Sequence, residues 1–219
     1  MNSKKSQDYI AYYQKKIVTD TYDAQREGNA YRVKKRALEL KFFLELIDKQ
    51  PSDDVLELGC SSGFLTKHLG KVIAIDTSED MLKIAHAKNK LAKCIPGDMF
   101  NLQFKDKSFN KITTMRVWVH LNEEDLRRAI KEAKKVLKDR GELIFDIEEK
   151  NRLRRFVAFW YQKITRITGF EIHQYSLNEI NKILTSEGFK IEDLRYLEHR
   201  VGRQIILRAR LNEPKKKVK

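Results

Sequence analysis

Two glycines and several small polar residues stand together in Glu57-Leu58-Gly59-Cys60-Ser61-Ser62-Gly63-Phe64, directly after the apolar pair Val55-Leu56. Glycine lets a backbone approach a ligand where a Cβ would collide. The dinucleotide pattern G-x-G-x-x-G is absent, because Ser61 occupies its second glycine position. The segment therefore suits a nucleoside without phosphates better than a pyrophosphate. Asp76 follows 17 positions after Gly59, at the end of Lys71-Val72-Ile73-Ala74-Ile75. A carboxylate there can accept from both hydroxyls of a ribose. Its plainer reading is a capping acid before Thr77-Ser78. Gly97-Asp98-Met99 adds an acid able to accept from an adenine amino group and a polarisable sulfur for the ring face. His120 is the candidate general base for an acceptor that must lose a proton; packing or capping before Asn122 explains it equally well.

Such residues need a scaffold that brings separated turns to one edge. Residues 1–50 read as helical in two pieces, the second from about Ala30 to Lys49 with Leu38, Leu40, Phe42, Phe43, Leu46 and Ile47 on an apolar face. Pro51 ends it. Val55–Leu58 reads as a strand, 59–63 as a turn, and the chain to Leu69 as a helix. Lys71–Asp76 is a second strand, and Ser78 caps a helix bearing Met81, Leu82, Ile84 and Ala85. Further strands are expected at 92–96, 109–117 and 141–147. Asn122 opens a helix to about Lys138, with pairs Glu123/Arg127 and Glu124/Arg128 one turn apart. A capping box at Ser176–Glu179 starts another helix, which Gly188 ends, and strands near 191–197 and 204–211 close the chain as an antiparallel edge pair. Alternating strands and helices with mostly apolar strands predict an α/β fold: a doubly wound, mostly parallel, seven-stranded sheet. Such sheets bind ligands beyond the carboxyl ends of their strands, which puts Gly59, Asp76, Asp98 and Arg116 along one rim.

The 219 residues suffice for a single domain over 1–212, with 1–50 a helical cap, 150–175 a substrate lid and 213–219 a basic tail. Hydrophobic residues at 41% exclude a disordered chain. The net charge of +14 favours polyanionic partners, yet the charge is spread along the chain in the manner of a heavily charged soluble surface. Nucleic acid is thus conceivable as a partner but no motif indicates it. Cys60 and Cys94 show no metal-ligand spacing, so no metal is expected, and a reducing cytoplasm fits. No apolar run is long enough for a signal peptide or a membrane span.

With these residues in place, residues 53–147 resemble a class I S-adenosylmethionine-dependent methyltransferase, nearest to the group containing the ubiquinone/menaquinone-biosynthesis enzymes. The likeness rests on Val55–Cys60, Ile75–Leu82, Gly97-Asp98-Met99, Phe104–Phe109, Arg116–Leu121 and Ala133–Gly141, in that order. Tyr22–Arg26 and Gly188-Phe189 extend it over most of the chain. The resemblance implies S-adenosylmethionine as cofactor. Glu57, Gly59, Cys60 and Gly63 would serve its methionine tail, Asp76 with Thr77 its ribose, and Asp98 with Met99 its adenine. Met81 belongs to the same set, Met115 and Arg116 would line the sulfonium region through backbone atoms, and Tyr22 or Arg26 would close over the ligand. Ser61 stands where the family usually has glycine, which narrows the turn or weakens cofactor affinity.

The implied reaction is an in-line displacement at a methyl carbon, in which the protein mainly aligns the nucleophile and excludes water. The acceptor is expected to be a small molecule or lipid precursor. Phe156, Phe159, Trp160, Ile164 and Ile167 fall at helical spacing, as a lid lining or as a stripe packed on the sheet, and Arg152, Arg154, Arg155, Lys163 and Arg166 flank them. The tetrapeptide of adenine amino-group methylases is missing after the fourth strand, and neither cysteine has the Pro-Cys setting of cytosine methylases. An RNA or protein methyltransferase docking through its basic surface is the alternative, as is a non-catalytic S-adenosylmethionine-binding module.

Overall fold

The computed structural model describes residues 29–150, 172–199 and 202–213. Its elements run in chain order from α1 (Ala30–Ile47) through β1 (Val55–Leu58), β2 (Ile73–Asp76), α2 (Glu79–Lys88), β3 (Lys93–Pro96) and β4 (Phe109–Thr114). They continue with α3 (Glu123–Val136), β5 (Leu137–Glu149), β6 (Gln174–Tyr175), α4 (Leu177–Ser186), β7 (Phe189–His199) and β8 (Gly202–Leu211). The sheet order is β3-β2-β1-β4-β5-β8-β7, with β6 added beside β5. Strands β1 to β6 pair in parallel, whereas β8 lies antiparallel to both β5 and β7. The doubly wound, mostly parallel sheet with an antiparallel edge pair is therefore present, and β6 raises the strand count from the expected seven to eight.

Period-two alternation decides what each face covers. Leu56, Leu58, Ile112, Leu143, Phe145 and Ile147 join α3 and α4 residues such as Leu126, Ile130, Ile180 and Leu184 in one core. The alternate positions Val55, Ile144 and Ile206 pack with Phe43, Leu46 and Ile47 of α1. Ala74 packs with Leu82 and Ala85 of α2. Each helix starts where a side chain satisfies orphan amides: Asn29 caps α1, Ser78 caps α2, Asn122 caps α3, and Ser176 with Glu179 forms a capping box on α4. No described helix is long and apolar enough to cross a membrane.

Several expectations are corrected. The helix expected before Leu69 is a series of turns closed by a short 3-10 turn, Thr66–His68. Left-handed residues Ser61, Gly63 and Gly70 bracket this stretch and confine it to a few residues. The fourth strand stops at Thr114 rather than 117, because Arg116 is left-handed with φ 63°. Helix α3 passes into β5 at Leu137 with no gap, so that strand begins four residues earlier than expected. Leu38 faces outward at 40% exposure, and Glu39 lies buried on the inner face of α1 instead. Arg127 pairs with Glu123 as expected, at 2.9 Å, while Arg128 turns to buried Asp125 at 3.1 Å.

Candidate functional site

The turn after β1 is tied to the strand beside it. The Cys60 amide donates to the Ile75 carbonyl at 3.0 Å, and the Ser61 amide donates to Asp76 Oδ2 at 2.8 Å. Ser61 has φ 50°, so the serine at the expected glycine position adopts the backbone angle a glycine would take. Its hydroxyl reaches Met81 Sδ at 3.7 Å. Gly63 has φ 78°, and a Cβ there would lie 2.7 Å from the Ala85 Cα, so its lack of a side chain lets α2 close on the turn.

Glu57 serves this turn from beneath. It is 2% exposed and accepts a hydrogen bond from the Thr66 hydroxyl at 2.7 Å. Burial pushes its carboxyl up to about 8, with the Asp76 charge adding and the Thr66 bond opposing. Cys60 and Met81 are likewise enclosed, and burial holds the Cys60 thiol well above its ordinary range. That thiol is inert toward nucleophilic chemistry.

Asp76 ends β2 half-buried. Its Oδ1 accepts the Ser78 amide at 2.9 Å while Oδ2 holds Ser61. Burial raises its carboxyl, against the opposing bonds from the Ser78, Ser61 and Thr77 amides. A carboxylate offers about four lone-pair sites, so the three amide bonds leave capacity for one hydroxyl donor. Pro96 of β3 pairs with Asp76 in register, which sets Asp98 and Met99 just past the neighbouring strand end. The Gly97 amide donates to the Asp76 carbonyl at 3.0 Å, and Asp98 Oδ1 accepts the Phe100 amide at 2.9 Å. Met99 lies half-buried against the core. Two carboxylates at adjoining strand ends repel phosphate and accept donors, which fits an uncharged adenosine.

On the other side of β1, β4 ends in the Met115-Arg116-Val117 turn. The Arg116 amide donates to Asp146 Oδ1 at 2.7 Å. Val117 rests on the Gly59 turn so closely that a Cβ at Gly59 would come within 2.6 Å of Val117 Cγ2. His120 follows, half-buried in the 3-10 turn Trp118–His120, and the cap of α3 is Asn122 rather than this histidine. The rim thus brings together Gly59, Cys60, Gly63, Asp76, Thr77, Asp98, Met99, Met115 and Arg116 at the carboxyl ends of four adjacent strands. Tyr22, Arg26 and residues 151–171 of the expected lid lie outside the described residues, as do 214–219 of the tail. The Thr66 support, the Ser61–Asp76 bond and the role of Asp146 have no counterpart in the sequence reading. Only Asp146 carried a signal, as an acid inside the apolar run Leu143–Ile147.

Glu57 and Asp146 give the fold a signed pH dependence. Burial raises Asp146 to about 7, with Glu39 adding and Arg116 and Gln204 opposing. Both acids bind protons more readily folded than unfolded, so their stabilisation is full below about pH 4 and is lost as pH rises through their folded values. The melting temperature is expected to fall between about pH 4.5 and pH 8 and to level off above, and Glu57→Gln to flatten that fall. A melting curve that instead rises across this interval contradicts the assignment.

The fold is a doubly wound α/β domain of the methyltransferase kind. Residues 56–145 match the family described as Methyltransferase domain. It is similar to an uncharacterized protein of Methanocaldococcus jannaschii, 33% identical over 138 residues, 62% of this chain and 50% of the relative. A demethylmenaquinone methyltransferase of Thermotoga maritima is 34% identical over 110 residues, 48% of this chain and 47% of the relative. The chain spans about half the length of these curated relatives. Among solved structures it shares its fold with magnesium protoporphyrin IX methyltransferase of Synechocystis with bound SAH, with a TM-score of 0.76 and 19% identity, covering 94% of this chain and 100% of that one.

Proposed function

We propose that the protein binds S-adenosylmethionine along the carboxyl rim of β1–β4 and transfers its methyl group to a small-molecule or lipid-precursor acceptor. The observation that carries this reading is the convergence of the four turns, with half-buried Asp76 between them and an acceptor site left on its carboxylate for a ribose. Bound there, S-adenosylmethionine supplies a methyl group already activated on a sulfonium. Asp76 and Thr77 take the ribose, Asp98 and Met99 the adenine, and Gly59, Cys60 and Gly63 give the methionine tail a side-chain-free wall. Glu57 and Met81 hold that wall from below, with no need to touch the ligand. Met115 and Arg116 present backbone atoms to the reacting centre. His120, next along the chain, accepts the acceptor's proton where one must leave.

The domain spans 1–212, with Tyr22 and Arg26 closing over the cofactor and 150–175 covering the acceptor. An apolar acceptor fits the aromatic spacing of 156–167 and the likeness to a demethylmenaquinone methyltransferase. Incubation with methyl-labelled S-adenosylmethionine and a fractionated cell extract tests the acceptor class. Label is expected in the lipid or small-molecule fraction. Label confined to RNA or protein overturns that assignment.

A further inference from the structure

A buried polar network lies where α1 crosses the ends of β4, β5 and β8, and the reading above leaves it without a task. Asp146 is fully enclosed on the α1-facing side of β5. Its Oδ1 holds the Arg116 amide at 2.7 Å, and its Oδ2 accepts Gln204 Nε2 at 2.7 Å. The same Gln204 nitrogen donates to Glu39 Oε1 at 2.6 Å. The Arg116 guanidinium lies 3.6 Å from Glu39 and 3.7 Å from Glu148, and Glu148 lies 2.9 Å from His199 Nε2.

This arrangement is poorly suited to stability alone. Enclosed carboxylates give up water, and apolar residues of similar size would pack such a site at less cost. Gln204 Oε1 is buried with no hydrogen-bond partner among the described residues. Geometry supplies a better reason for the acid. Arg116 holds a φ of 63°, a region that any residue with a Cβ disfavours, so the turn needs an external hold. Asp146 supplies it through the amide of that very residue. The held turn in turn carries Val117 onto Gly59.

We propose that Asp146 is a positioning residue: by pinning the Arg116 amide, it locks the turn after β4 against the turn after β1, so that two walls of the cofactor site stand assembled before the ligand arrives. Gln204, itself tied to Glu39, holds the carboxylate in place from behind. The inference rests on the cofactor reading of the rim. It assigns Asp146 an effect on affinity through backbone geometry, with no contact to the ligand.

The test uses the full chain in calorimetric titrations with S-adenosylmethionine, beside hydrogen exchange at residues 115–119. Asp146→Ala is expected to weaken binding about tenfold and to speed exchange of the Arg116 segment. Asp146→Asn keeps an oxygen for the Arg116 amide and should stay within about threefold of the wild type. In an Arg116→Gly background the Asp146→Ala loss should shrink to about twofold, because glycine takes the left-handed angle unaided. A purely structural acid would give the same loss in both backgrounds. Should Asp146→Ala not fold, Gln204→Leu loosens the carboxylate from behind and is expected to weaken binding about threefold. Wild-type affinity in folded Asp146→Ala, or an undiminished loss in the glycine background, overturns the proposal. A wild type that does not bind S-adenosylmethionine, yet protects the Arg116 amide through Asp146, overturns the cofactor reading and leaves the pin itself in place.

Discussion

Asp76→Ala is expected to weaken S-adenosylmethionine binding by about 1–3 kcal/mol, roughly fivefold to 150-fold in dissociation constant. The size follows from two losses at one residue. The ribose hydroxyls lose their acceptor, and the Ser61 and Ser78 amides lose theirs as well. Freed of that bond, Ser61 has less reason to keep its left-handed angle, and the turn facing the methionine tail loosens. Asp76→Asn keeps one acceptor oxygen and should fall between wild type and alanine. Isothermal titration calorimetry checks the series, and unchanged affinity in Asp76→Ala would place the ribose elsewhere.

Gly63→Val should destabilise the fold by about 3 kcal/mol or more. Two penalties add at this position. The φ of 78° disfavours any Cβ, and a β-branched side chain most of all. The new Cβ would also stand 2.7 Å from the Ala85 Cα and 2.8 Å from its Cβ, so α2 must retreat from the turn. Backbone cannot swing aside as a flexible side chain can. For a chain of this size the melting temperature should drop by roughly 6–12 °C. Gly70→Ala is the internal control, because its φ of 62° carries the conformational penalty while nothing stands within 4 Å. Equal losses for the two variants would remove packing against α2 from the explanation.

What the sequence shows of this fold and what it hides divide along the range of the interactions. Ser78, Asn122 and Ser176 are legible as caps because each bonds an amide three residues onward, and a local pattern carries that information. The strands β1, β2 and β4 are legible from apolar runs between turn residues, and with them the edge where Gly59, Asp76 and Asp98 gather. Arg116 is different. Nothing in Met115-Arg116-Val117 announces a left-handed residue, because its hold comes from Asp146 on the next strand. Glu39 reads as a solvent-facing charge until Gln204, 165 positions away, is folded against it. The two-residue strand β6 lacks any periodicity to read, since pairing with Glu148 and Glu149 alone defines it. Sequence spacing likewise finds the acids of the rim but not their supports. Thr66 under Glu57 and the Ser61 amide on Asp76 depend on turns whose angles the residue types do not dictate.

The arrangement also explains why a serine is tolerated in the turn after β1. Glycine at that position supplies a left-handed angle at little steric cost. Here the Ser61 amide bond to Asp76 and the hydroxyl contact to Met81 offset part of the strain. The same acid then holds the turn.

Everything above depends on adenosine lying across the ends of β1, β2 and β3 with its sulfur end toward the turn after β4. Crystals of the full chain grown with S-adenosylhomocysteine measure that directly. The predicted result is ligand density on this edge, with the ribose on Asp76 and the adenine beside Asp98 and Met99. Density at any other place on the protein, or none at this edge despite saturating ligand, contradicts the account.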